Sequence, residues 1–137
     1  MRRAGLGCAA VLLLVAAAGC GTPSKDLFVV ERSGEVPGAR LTLLVSDDGS
    51  VRCNGNKPKD MGSERLIDAR ALEHDLVDQA DEQRTFRPGE NSILRYTVRV
   101  EDGTLKFADT SPNLPSDLFQ LAAFTRVLAK QVCGLPR

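Results

Sequence analysis

The sequence has no tryptophan, one tyrosine and one histidine, and its four cysteines are too few for a fold built on disulfides. Each shortage excludes something. Without tryptophan, and with Tyr96 as the sole tyrosine, a sugar-stacking cleft has little to be made from. His74 alone makes no multi-histidine metal site. Charge of one sign is also missing, since 18 Lys and Arg face 18 Asp and Glu. That balance excludes a strongly basic nucleic-acid binder and an acidic solvating tail. No GxSxG, HExxH, GxGxxG or Walker pattern occurs, so nothing marks a nucleophile, a zinc pair or a phosphate cradle. The expectation is a non-enzyme with no cofactor, no metal and no nucleic-acid partner.

What is present begins with the N-terminus. Of the first 19 residues, 14 are apolar and none is acidic. Arg2 and Arg3 precede an uncharged run from Ala4 to Gly19. The run is shorter than the roughly 20 residues of a transmembrane helix, but it suits a secretory h-region. It ends Ala17-Ala18-Gly19-Cys20, which resembles the bacterial lipobox, although Ala17 stands where that motif more often has leucine. The resemblance implies cleavage before Cys20 and a diacylglycerol thioether on its sulfur. It divides the chain into a removed signal peptide over 1–19, a lipidated cysteine and tether over 20–26, and one domain over 27–137. A 137-residue chain is long enough for only one such domain. The expected location is the extracytoplasmic face of the cell membrane. Six tether residues, Gly21 to Asp26, span at most about 20 Å, which keeps the domain at the membrane surface. With 13 arginines against five lysines, the chain as a whole looks like the small secreted lipoproteins of actinobacteria.

Cysteine arithmetic follows from that reading. Cys8 leaves with the h-region and Cys20 takes the lipid, so Cys53 and Cys133 remain. An even pair in an exported chain reads as one disulfide. Closing a loop of 80 residues stabilises the fold by about 3–4 kcal/mol in the chain-entropy account.

The remaining sequence predicts an α+β domain of order β-β-β-α-β-β-α, two layers deep. Leu27–Arg32 reads as a strand. Ala39–Ser46 and Ser50–Asn54 read as a hairpin around Asp47-Asp48-Gly49. A three-residue turn with Gly49 left-handed pairs Val45 with Val51 and Leu43 with Cys53, which gathers the apolar residues on one face. In the second hairpin Leu94, Tyr96, Val98 and Val100 alternate with polar residues. Asp102-Gly103 reads there as a type I′ turn, pairing Val100 with Leu105 and Val98 with Phe107. Apolar residues at helical spacing mark Ser63–Ala80 and about Pro115–Cys133 as helices, both expected on one face of the sheet.

The opposite sheet face then collects Arg40, Arg52, Arg95, Arg99 and Lys106, with Arg99 directly opposite Lys106. Five cations on one face of a nearly neutral chain point to an anion, such as lipid headgroups or a wall polymer. Glu73 projects into the apolar arc of the first helix, where a carboxylate is expected to find a partner, an arginine for example, or to mark where the helix runs off the sheet. His74 reads as solvated helix surface, Phe86 as a cap folding back on the core, and Asn54–Gly62 as a plain connection.

Residues from about 29 to 130 also resemble the emfourin group, small protein inhibitors of thermolysin-like metallopeptidases. The likeness lies in the strand entering Arg32-Ser33-Gly34, the Gly38-Ala39-Arg40 opening of the hairpin, the Leu-rich helix, Tyr96-Thr97-Val98 and Leu114-Pro115. Glu35 replaces the family's second glycine. The resemblance implies an extracytoplasmic protein partner, a peptidase, met by the loop Ser33, Gly34, Glu35, Val36, Pro37 and Gly38.

The leader reading is directly testable. Cys20→Ser is expected to move the protein from the membrane fraction to the soluble fraction. Mass spectrometry of the wild-type mature N-terminus should show a diacylglyceryl adduct on Cys20, and an unmodified N-terminus would refute it.

Overall fold

A computed structural model describes residues 21–137, so the expected signal peptide over 1–19 and the expected lipidation site, Cys20, lie outside the described residues. In chain order the elements are β1 (Asp26–Gly34), β2 (Leu41–Ser46), β3 (Ser50–Cys53), β4 (Lys59–Asp60), α1 (Ser63–Asp81), β5 (Leu94–Val100), β6 (Gly103–Ala108) and α2 (Ser116–Gln131). The strands form one sheet of order β4-β3-β2-β1-β5-β6, antiparallel throughout. The α+β layout with two hairpins, a first strand and two helices is the expected one. The two-residue β4 is an addition, in the segment read as a plain connection.

Alternation on β1 sets the two faces. Phe28, Val30 and Arg32 are buried, and the same face takes Leu41, Leu43 and Val45 from β2 and Tyr96 and Val98 from β5. Against it lie Ala69, Leu72, Leu76 and Ala80 of α1, and Leu118, Leu121, Phe124 and Leu128 of α2. Phe28 meets Phe124 edge to face at 6.2 Å between ring centroids. The described residues build a hydrophobic core whose buried members run from Leu27 to Ala129.

The first hairpin has the expected register, with Val45 opposite Val51, Leu43 opposite Cys53, and Gly49 at φ +86° in the turn. The second is shifted by two residues. Val100 pairs with Gly103, Val98 with Leu105 and Tyr96 with Phe107, so Glu101-Asp102 forms the turn instead of Asp102-Gly103. A two-residue shift preserves which side chains face the core, and for that reason the apolar pattern could not detect it. Gly103 serves a packing need here and not a left-handed turn. A Cβ on it would lie 2.1 Å from the Ala80 carbonyl oxygen at the end of α1. Tyr96 and Phe107 stack with centroids 4.7 Å apart as a result.

Both sheet edges are guarded. β4 is short, and residues 84–86 run along β6, where the Phe86 amide donates to the Lys106 carbonyl and the Lys106 amide to the Arg84 carbonyl. Phe86 packs partly against the core as expected, with the Arg84 guanidinium 4.8 Å above its ring. The Cys53–Cys133 disulfide joins β3 to the chain just beyond α2, with Cα atoms 5.7 Å apart.

Gly103→Ala is expected to destabilise the domain by about 1–3 kcal/mol, because a backbone carbonyl must move to admit the methyl group. Urea unfolding of residues 21–137 measures this. An unchanged midpoint would mean that the α1–β6 contact yields freely.

Candidate functional site

The sheet face turned away from the helices is uncovered, and its side chains can be read rung by rung. Arg52, Leu44, Val29, Arg99 and Thr104 form one rung. Thr42, Glu31, Thr97 and Lys106 form the next, and Ser33, Arg95 and Ala108 a third. Arg40 stands immediately before β2. All five expected cations, Arg40, Arg52, Arg95, Arg99 and Lys106, are exposed. The expected Arg99–Lys106 opposition does not occur, because the shifted register places Thr104 opposite Arg99 and Thr97 opposite Lys106. The like-charge cost of a direct cross-strand pair is thereby avoided. Glu31, the acid on these rungs, sits near their centre and its Oε1 lies 2.8 Å from Arg99 Nη1. Arg40, Arg52, Arg95 and Lys106 take part in no ion pair among the described residues.

The loop after β1 is held from beneath by Arg32. This residue is only 2% exposed, on the helix side of the sheet beside Tyr96. Its Nε donates to the Ala39 carbonyl at 2.8 Å, and Nη2 donates to the carbonyls of Gly38 at 2.8 Å and Arg137 at 2.7 Å. Nη1 has no partner among the described residues. Burial lowers the Arg32 pKa from its ordinary value, with the nearby Arg126 and Arg137 charges adding to the effect. Burial likewise raises the Tyr96 phenol, opposed by the positive charge of Arg32. Above this anchor Ser33, Gly34, Glu35 and Pro37 are exposed, Val36 and Gly38 are half-buried, and the Ala39 amide closes a turn onto the Val36 carbonyl. Ser33 and Gly34, expected in the loop, are instead the last residues of β1, paired with Arg95 and Leu94 of β5, so the loop itself is Glu35–Gly38 and begins beside the basic face.

No protein-family model, curated protein or solved structure matches the chain.

The remaining singled-out residues fall in ordinary places. Glu73 pairs with Lys25 at 3.6 Å, and not with an arginine. Lys25 also reaches Glu101 at 2.7 Å, and this contact raises the lysine pKa while lowering that of the carboxylate. His74 is exposed on α1. Among the described residues no group of three His, Cys, Asp or Glu is arranged to hold a metal ion, and no helix is long and apolar enough to cross a membrane.

Two features escaped the sequence reading. One is Arg32 as a core residue. The strict alternation Phe28-x-Val30-x-Arg32 carried that signal, since it puts the arginine on the apolar side. The other is a groove of about 750 Å³ between the helices. Helical spacing shows which face of each helix is apolar but not how far apart two helices stand.

Proposed function

We propose that this protein is a lipid-anchored, non-catalytic binding module at the extracytoplasmic face of the membrane, which engages phosphate-bearing anionic surfaces through its uncovered sheet. The observation that carries this reading is the set of four exposed cations without ion-pair partners among the described residues, one on each of three rungs and Arg40 just before β2, with Glu31 neutralised by Arg99. Near an anionic surface each such cation contributes about 1 kcal/mol, and the contributions act together while salt is low. The lipid on Cys20 supports the reading by confining the domain close to headgroups and the polymers beside them.

Residues 21–137 should co-sediment with phosphatidylglycerol-containing vesicles, or bind soluble polyphosphate, at low salt. The two probes separate a lipid source of the phosphate from a polymer source. Arg95→Glu combined with Lys106→Glu is expected to weaken binding at least about tenfold, as is raising salt from about 0.05 to 0.3 M. Salt-insensitive binding, or binding indifferent to the charge reversals, would overturn the proposal.

A second reading rests on the loop over Arg32. An exposed loop whose end is braced from inside by two charge-assisted hydrogen bonds, to Gly38 and Ala39, is pre-organised, and pre-organisation is what a protein inhibitor needs to occupy a peptidase cleft. The emfourin likeness of Ser33–Gly38 supports the same use. The expected result is stoichiometric inhibition of a thermolysin-type peptidase that survives moderate salt and falls on Pro37→Gly. Failure to inhibit would remove this reading and leave the sheet-face proposal standing.

A further inference from the structure

We infer that the groove between α1 and α2 seats a cationic amphipathic helix of a partner protein. The two helices run antiparallel. Gln79 near the end of α1 donates to Asp117 at the start of α2 at 3.1 Å, and Arg65 at the start of α1 reaches Gln131 at the end of α2. Between these ties they do not close. Met61, Leu72 and Phe124 form a floor that belongs to the core, and on the outer edge Ala71 and Ala123 supply only methyl groups. The resulting groove is apolar at its base and open to solvent.

Exposed apolar side chains continue its walls. Of the four large hydrophobic side chains exposed among the described residues, three lie on these helices: Ile67 at 66%, Phe119 at 54% and Val127 at 38%. On α2, Phe119, Ala123 and Val127 follow one another at four-residue spacing, and the last two of them line the groove. An unpartnered stripe of this kind beside a groove marks an interaction surface.

Charge selects the occupant. α1 carries six acids and two arginines. Three of those acids, Glu64, Asp68 and Asp75, stand on the groove rim and make no ion pair among the described residues. Arg65, the cation on the rim, is already committed to the Met61 carbonyl at 2.8 Å and to Gln131. A ligand that fills the floor with apolar side chains therefore meets carboxylates along one wall, which favours lysine and arginine on its flanks. Anionic headgroups would be repelled by the same acids. A third helix laid along the first two completes the layer with the chemistry the groove presents.

The probe is an 18-residue helical peptide of leucine and lysine with leucines on one face, compared with its leucine–glutamate counterpart. Added to isotopically labelled residues 21–137, the lysine peptide is expected to shift amide signals over 61–75 and 119–127. Asp68→Lys with Asp75→Lys should weaken its binding at least tenfold, and Ala123→Phe, at an exposed position, should block it by filling the groove. Arg95→Glu on the sheet face should leave the affinity unchanged, which separates this test from that of the basic face. Absence of binding, equal binding of the glutamate peptide, shifts confined to other surfaces, or affinity indifferent to the rim reversals would each overturn the inference.

Discussion

The fold hangs on β1. Nine residues, Asp26–Gly34, pair with β2 on one side and β5 on the other, and the two hairpins meet nowhere else in the sheet. One alternation along this strand therefore fixes the facing of six strands at once. Its core side reads Phe28, Val30, Arg32, and the third member is a charge where a hydrocarbon would be the simple choice. The guanidinium is tolerated because carbonyls of Gly38, Ala39 and Arg137 accept from it. That position lets one side chain tie the loop after β1 and the segment after α2 to the strand that organises everything else.

Beyond α2 the chain is tied twice more. The disulfide holds Cys133 to β3, and Lys59 Nζ donates to the Val132 carbonyl at 3.0 Å. With Arg32 these contacts fix the C-terminal segment against the sheet over a short length of chain. The N-terminal end of β1 has its own ties, since Ser46 Oγ donates to Asp26 at 3.0 Å and Lys25 bridges Glu73 and Glu101. Lys25 thus joins the segment before β1 to both layers.

Charge is nearly balanced over the chain but separated in space. The uncovered sheet face gathers arginine and lysine, whereas α1 gathers Asp and Glu. The two layers therefore present surfaces of opposite sign. The separation also keeps copies of the domain from presenting one uniform field. It arises from the two periodicities, because alternate strand residues and the solvent side of a helix are both polar, and neither pattern specifies which sign is used.

Every strand but the two-residue β4, both helices, the first hairpin's register, the disulfide and the basic face were legible in the sequence. Period-two and period-3.6 patterns report which side of an element is apolar, Gly49 marks its own turn, and two leftover cysteines pair with each other. The second hairpin shows where that information ends. Shifts of two residues leave the pattern intact, so the pattern could not place its turn; the observed register sets Gly103 against the Ala80 carbonyl, where a side chain has no room, in a segment distant in sequence. Likewise the arginine beneath the loop, the lysine that meets Glu73 and the gap between α1 and α2 depend on how separate elements come together. Local residue order determines what each element turns inward. Only packing in three dimensions determines what it meets there.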